Sequence, residues 1–250
     1  MSDEQANEPD LSAAVPEPVL GRLLKREDFT LERVRRIAEQ AMQRGGVPLM
    51  SEEARKASLR AVRSAVPDGE DVWVFGYGSL MWNPAIHVAE SRKAHVRGYH
   101  RTFCLKLSAG RGSPDAPGLM LSIDRGGSCS GVVHRIAADQ VESELSILWY
   151  REMLSGAYEP RWVNAEVETV GRRRSLAFVI NRSHPRYEGV LTESEMARRI
   201  ATAKGIIGTN RDYLYRTIAC LTELGVADGP MFRLEQQVRA LANEHLSTGA

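Results

Sequence analysis

Apolar residues near the start of the chain recur at intervals of three and four, as on one face of an amphipathic helix. The residues at this spacing in LERVRRIAEQAMQ are Leu31, Val34, Ile37, Ala38 and Met42. A second helix is predicted after Ser51, because Glu52 and Glu53 suit its first turn. The sequence VPDGED at residues 66–71 then ends this helical part.

The pattern changes to strands after Asp71. Val72–Phe75 is β-branched and aromatic, and the end of VRGYHRTFCLKL alternates apolar and polar residues. GLMLSID and SGVVHRI flank a Gly-Gly pair, and WVNAEVETV and SLAFVI flank GRRR, so each pair of segments predicts a hairpin. Further helices are predicted at 139–155, 193–203, 211–224 and 231–246. Because strands and helices do not alternate regularly, we predict an α+β fold with a small mixed barrel or curved sheet and flanking helices.

Composition and charge limit the possible domain organisation and function of the chain. Residues 1–16 are polar and acidic, which predicts disorder, followed by a helical extension at 17–68 and a main domain at 69–250. The formal net charge is only +1, so no basic face for nucleic acid is predicted. The three cysteines are far apart, which indicates reduced thiols in a cytoplasmic setting. No apolar run approaches the roughly 18 residues of a membrane span.

One carboxylate of the predicted helix at 139–155 lies on its apolar side. The apolar stripe consists of Val141, Leu145, Leu148 and Trp149. Glu152 continues this stripe, whereas Glu144 and Arg151 are expected on other faces. Burial would raise the pKa of Glu152 toward the range useful for proton transfer. Spacing alone leaves three interpretations open: a solvated or arginine-paired residue at the helix end, a buried structural ion pair, or a catalytic acid/base.

The turn GYGSLM, residues 76–81, ends the first strand and matches no familiar glycine motif. It lacks the third glycine of a dinucleotide fingerprint, the Lys-Ser/Thr pair of a phosphate loop, and the glycines that would flank Ser79 in a serine hydrolase. No helical pattern follows it directly. Its backbone N–H groups could bind a carboxylate or phosphate, and a plain tight turn is the alternative.

Other candidates carry weaker signals. Arg111 lies in the Gly/Pro-rich loop AGRGSPDAPG, which is either a plain connection or a place to hold an anion. Tyr213, in GTNRDYL at the start of a predicted helix, faces either the core or a ligand. The six histidines show no metal-binding spacing, so no metal site is predicted.

Four segments together resemble the ChaC family of glutathione-specific γ-glutamylcyclotransferases. They are WVFGYGSLMWNP, GRGSPDAPG, LWYREMLSGAY and GTNRDYL, in the family's order within residues 71–245. The resemblance implies a small mixed β-barrel as the catalytic domain, Glu152 as the acid/base, and Tyr213 against the substrate. The residues it implies for holding the γ-glutamyl group are Tyr77, Gly78, Ser79, Leu80, Met81 and Trp82.

The activity implied by this resemblance is conversion of glutathione to 5-oxoproline and cysteinylglycine. The substrate supplies its own nucleophile, so no metal or organic cofactor is expected, and the expected partner is a small molecule rather than nucleic acid or a membrane. Many relatives have STDHRG where this chain has LSAGRG, and an arginine in place of Leu119, so other γ-glutamyl peptides or amines are alternative substrates. A non-catalytic γ-glutamyl- or anion-binding regulator linked to cation transport is the alternative from another class.

Overall fold

The structure is a computed structural model that describes residues 25–30, 32, 36 and 49–248. The predicted disorder at 1–16 and nearly all of the predicted helix at 31–42 lie outside these residues. The boundaries predicted between N-terminus, helical extension and main domain stay a prediction.

The helix predicted after Ser51 is present as α1, Glu52–Arg63. The Ser51 hydroxyl caps it by accepting a hydrogen bond from the Ala54 N–H at 3.1 Å. Upstream, a 3₁₀ turn at Arg26–Asp28 is described. The Met50 N–H donates to the carbonyl oxygen of Leu154 at 3.0 Å, so the segment leading into α1 is bound to the rest of the molecule.

Five strands close into a barrel, which confirms the predicted α+β class. They are β1 Val72–Gly76, β2 Glu90–Leu107, β3 Gly118–Ile136, β4 Tyr158–Val167 and β5 Gly171–Ile180. Their order around the barrel is β1-β3-β2-β4-β5. A parallel contact between β1 and β5 closes it, and the other contacts are antiparallel, so the barrel is mixed.

The prediction of a hairpin around Gly126 and Gly127 is wrong. Residues 118–136 form the single strand β3, which pairs with β2 from one end to the other. Gly126 and Gly127 have left-handed φ values of 98° and 69°, and the register shifts opposite them between Arg97 and Tyr99. The glycine pair therefore makes a β-bulge that curves the strand around the barrel instead of reversing the chain. The other predicted hairpin, β4–β5, is confirmed.

Helices flank the barrel on two sides. The four-residue helix α2, Ser79–Trp82, directly follows β1, and α3, Val141–Glu152, follows β3 after a 3₁₀ turn. The remaining elements are α4 Glu193–Thr202, β6 Lys204–Gly205, β7 Gly208–Thr209, α5 Asn210–Glu223 and α6 Gly229–Thr248. Among the described helices, none combines the length and the apolar character needed to cross a bilayer.

Two apolar clusters meet at the end of β1. On one side, Leu148 and Trp149 of α3 pack with the segment after α1. On the other side, α4, α5 and α6 pack against β2 and β3. Leu80 belongs to the first cluster and Met81 to the second, so α2 lies between them. This packing brings the C-terminal end of α3 close to the turn after β1.

Candidate active site

The turn between β1 and α2 lies so close to its surroundings that a side chain at Gly76 or Gly78 would force its neighbours to move. A Cβ at Gly76 would lie 3.1 Å from the Leu80 carbonyl carbon. A Cβ at Gly78 would lie 2.7 Å from the hydroxyl oxygen of Tyr213. Contrary to the expectation from the sequence, a helix does follow the turn, and it buries Leu80 and Met81 in the core. These two residues therefore present backbone, not side chains, to a ligand.

Tyr213 on α5 packs directly against this turn. Its hydroxyl oxygen accepts a hydrogen bond from the Ser79 N–H at 3.3 Å. Its ring makes edge contacts with Trp82 and Phe103, at centroid distances of 5.9 and 6.1 Å. Burial raises the pKa of Tyr213 to about 12, so the phenol stays protonated at neutral pH. Tyr213 thus packs in the core with its ring and places its hydroxyl at the glycine turn.

Buried side chains of the barrel strands β2 and β3 and of the turn itself hold the turn in place. Arg101 Nε donates to the carbonyl oxygen of Tyr77 at 2.6 Å. His134 Nε2 donates to the carbonyl oxygen of Leu80 at 2.8 Å. The Tyr77 hydroxyl donates to the carbonyl oxygen of Phe178 on β5 at 2.5 Å. The path of the turn is therefore fixed by three side-chain hydrogen bonds.

Glu152, the last residue of α3, is buried beside this turn. Its side chain is only 13% exposed, and its Oε1 lies 2.8 Å from Arg151 Nε. Burial raises the pKa of Glu152, and the Arg151 cation offsets only part of this effect. Glu152 is therefore paired with an arginine at the helix end, one of the arrangements that its spacing left open, and its side chain is not solvated. Its role as acid/base stays a prediction.

Arg151 joins the end of α3 to the glycine turn, a role that the helical pattern did not predict. Its Nη2 donates to the Ser79 hydroxyl oxygen at 2.8 Å, and its Nη1 donates to the carbonyl oxygen of Pro84 at 3.0 Å. The sequence analysis placed Arg151 on another face of the helix. Helical spacing gives the direction of the Cβ but not the path of a long guanidinium side chain, which here turns back toward Glu152.

Tyr158, at the start of β4, is a site residue that the sequence analysis missed. Its hydroxyl donates to the carbonyl oxygen of Leu121 at 3.1 Å. Burial first, and then the charge of Glu152, raises the pKa of Tyr158 well above its usual range. The Glu152 charge also contributes to the raised pKa values of Tyr77 and Tyr213. Three protonated phenols are therefore electrostatic neighbours of the carboxylate.

Arg111 lies on the Tyr213 side of the site. Its Nη1 donates to the carbonyl oxygen of Thr209 at 2.8 Å, which ties the Gly/Pro-rich loop to the start of α5. Burial lowers the pKa of Arg111, and the nearby carboxylate of Asp212 counteracts this. Binding of an anion by Arg111 stays a prediction.

Within the described residues, no group of three or more His, Cys, Asp or Glu side chains is placed to hold a metal ion. The three cysteines are free. Burial raises the pKa of Cys104 to about 12 and that of Cys129 to about 11, so both are protonated thiols at neutral pH. The carboxylate of this site whose pKa is raised is that of Glu152.

Comparison with known proteins gives consistent matches. Residues 72–241 match the model of a family described as ChaC-like protein. A glutathione-specific γ-glutamylcyclotransferase of Escherichia coli (strain K12) is 40% identical, over 80% of this chain and 87% of the bacterial protein. Glutathione-specific γ-glutamylcyclotransferase 1 of Rattus norvegicus is 34% identical, over 64% of this chain and 76% of its own length.

A solved structure shares the fold. The crystal structure of a yeast γ-glutamylcyclotransferase specific to glutathione superimposes with a TM-score of 0.62 at 20% identity. The superposition covers 68% of this chain and 96% of the yeast chain. The barrel and its flanking helices are therefore the architecture of that structure as well.

Proposed function

This chain belongs to the family of ChaC-like proteins, and we propose that it converts glutathione to 5-oxoproline and cysteinylglycine with Glu152 as general acid/base. The names of the bacterial and mammalian relatives support the substrate. One observation supports the assignment of Glu152 as the acid/base. Its carboxylate has a raised pKa and pairs with Arg151, which in turn donates to Ser79 of the glycine turn.

The proposed reaction forms one bond and breaks one. The α-amine nitrogen of the γ-glutamyl residue attacks its own γ-carbonyl carbon and closes a five-membered ring, while the amide bond to the cysteine nitrogen breaks. The attacking amine loses a proton and the departing nitrogen gains one. A single group that accepts a proton and then returns it is sufficient, and Glu152 takes this role.

The environment of Glu152 suits that proton transfer. An ordinary carboxylate is a weak base toward an ammonium group, and burial strengthens it by disfavouring its charged form. The ion pair with Arg151 at 2.8 Å keeps the carboxylate in one position. The phenols of Tyr77, Tyr158 and Tyr213 stay protonated, so they add no further charge to the surroundings of this carboxylate.

The glycine turn supplies main-chain donors for the γ-glutamyl group. The Ser79 N–H reaches only the Tyr213 hydroxyl, at 3.3 Å. The N–H groups of Gly78 and Leu80 donate to no acceptor in the described part of the chain. We assign these donors to the α-carboxylate of the substrate or to the oxyanion that forms at the γ-carbonyl. Holding the flexible glutamyl arm in the attack geometry supplies several kcal/mol of the rate enhancement.

The setting we propose is the cytoplasm, with a small molecule as the partner. Free cysteines support a reducing compartment, where glutathione itself is abundant. The net charge of +1 supports the absence of a nucleic-acid partner.

The proposed function is tested by incubating the purified protein with glutathione and, separately, with γ-glutamylalanine, and quantifying 5-oxoproline by mass spectrometry. We expect 5-oxoproline from glutathione. Release of 5-oxoproline from γ-glutamylalanine alone would show that glutathione is not the substrate, while the proposed cyclisation would still hold. A folded protein that releases 5-oxoproline from neither compound would contradict the enzyme and favour a γ-glutamyl-binding regulator.

A further inference from the structure

One half-buried arginine near the site has no carboxylate partner among the residues that the structure describes. In the described part of the chain, Arg186 Nε is buried and has no hydrogen-bond partner. Its Nη2 donates to the Ser155 hydroxyl oxygen at 2.6 Å. The neighbouring arginines differ, since Arg182 pairs with Asp124 at 2.7 Å and Arg199 with a glutamate at 2.8 Å.

The position of Arg186 is fixed by its loop. His184 Nε2 donates to the carbonyl oxygen of Ser155 at 3.0 Å, and Asn181 Nδ2 donates to that of Gly156 at 3.1 Å. The Arg186 carbonyl oxygen accepts a hydrogen bond from the Lys106 N–H at 2.9 Å. The loop is therefore bound both to the segment after α3 and to β2, and the guanidinium group is not on a freely moving surface strand.

Arg186 and Glu152 are both electrostatic neighbours of Tyr158. The charge of Glu152 raises the pKa of Tyr158, and Tyr158 in turn raises the pKa of Arg186 against the effect of burial. Ser155, which accepts from Arg186, is three residues beyond Glu152 in the chain. Arg186 is therefore bound to the segment that directly follows Glu152, whereas the ion pair of Glu152 is with Arg151.

A guanidinium group that is partly withdrawn from water without a carboxylate destabilises the fold, because its charge loses solvation that nothing replaces. No carboxylate pairs with Arg186 among the described residues, and its nearest electrostatic partner is the neutral Tyr158. An anionic ligand would remove this cost, because it would supply both the counter-charge and an acceptor for Nε. The chemistry of the position therefore fits a carboxylate on the ligand.

We propose that Arg186 is a specificity-determining residue that binds the glycyl carboxylate of glutathione. The inference rests on the proposed function. Glutathione has two carboxylates, and the α-carboxylate is attached to the same carbon as the amine that must reach Glu152. A cation that is bound next to the end of α3 without pairing with Glu152 is suited to the carboxylate farther along the peptide. The α-carboxylate is left to the glycine turn.

The test compares Arg186→Gln with the wild type on glutathione and on γ-glutamylcysteine, which lacks the glycine. We expect KM for glutathione to rise about 10- to 100-fold with little change in kcat, since one charge-assisted contact is lost. Kinetics with γ-glutamylcysteine should not change. The matched control is Arg161→Gln, which removes an exposed arginine of β4 and should leave both substrates unaffected.

A second measurement needs no variant. The wild type should turn over glutathione better than its glycine ethyl ester, which lacks the charge that Arg186 would bind. Equal activity on the acid and the ester, or an equal loss on both peptides in Arg186→Gln, would overturn the assignment of Arg186. Absence of 5-oxoproline from every substrate with the wild type would instead overturn the proposed function.

Discussion

Helix α3 carries two glutamates, about two turns apart, whose pKa values are shifted in opposite directions. Glu144 is 1% exposed and accepts hydrogen bonds from Arg26 Nη2 at 2.7 Å, from the His87 N–H at 2.9 Å and from the Ser143 hydroxyl at 3.0 Å. Burial acts to raise its pKa, but these bonds outweigh burial and lower it. Glu152 has one ion pair in the described residues, with Arg151, and its pKa is raised.

The difference shows that burial alone does not identify a reactive carboxylate. Both side chains are withdrawn from water, and both have an arginine. What separates them is the number of donors that satisfy the ionised form. Glu144 is satisfied as an anion and connects the N-terminal segment at Arg26 to the loop at His87 and to α3. Glu152 is not fully satisfied, which is the state expected of a group that exchanges a proton.

The largest expected effect comes from Glu152→Gln. This change keeps the size of the side chain but removes its ability to accept a proton, so kcat for 5-oxoproline release should fall about 10²–10⁴-fold. The melting temperature at pH 7 should stay the same or rise, because a partly uncompensated charge is removed from the interior. Turnover close to the wild type would exclude Glu152 from the chemistry. Glu142→Gln, which alters an exposed residue of the same helix, is the control.

Glu144→Gln should give the reverse result, with a smaller effect. Losing the charged acceptor for Arg26, His87 and Ser143 should reduce the free energy of unfolding by about 1–3 kcal/mol in chemical denaturation. The kcat for glutathione should stay near that of the wild type once the protein is folded. A loss of turnover as large as that of Glu152→Gln, without a loss of stability, would contradict the separation between the two carboxylates.

Helical spacing predicts the position of only one of these two glutamates on the helix correctly. Extending the apolar stripe by helical spacing places Glu152 on the buried face, where the structure has it. Glu144 was expected on another face, because its burial comes from Arg26, 118 residues away in the chain, and from the loop at His87. Such long-range contacts leave no periodic signal along the chain.

Long-range contacts also determine features of the barrel and of the rest of the site that local patterns do not predict. The strand and helix classes followed from local patterns, but the Gly126-Gly127 pair was taken for a turn, because a bulge and a hairpin use similar residues. Tyr158 and Arg186 reach the site through barrel closure and a loop anchored at Ser155. Neither connection is encoded in the spacing of nearby residues.

The smallest expected effect is a difference in how the two variants respond to pH. The pKa of Glu144 is lowered in the folded state, so its stabilising contribution is present above the unfolded pKa of about 4.3 and is lost as pH falls below it. The pKa of Glu152 is raised, so ionisation disfavours the fold as pH rises above about 4.3. Each unit of pKa shift corresponds to about 1.4 kcal/mol.

Urea denaturation of the wild type and both variants at a series of pH values from about 2.5 to 7 measures this, because the range must extend well below the unfolded pKa. The stability lost in Glu144→Gln should shrink toward acid pH, because the wild type also loses its anion there. Any stability gained in Glu152→Gln should shrink toward acid pH as well, because the wild-type carboxyl is then neutral. The two differences from the wild type therefore have opposite signs at pH 7 and converge toward zero at low pH. Differences of the same sign at pH 7 would show that the two carboxylates of α3 do not differ in how well the fold satisfies their charge.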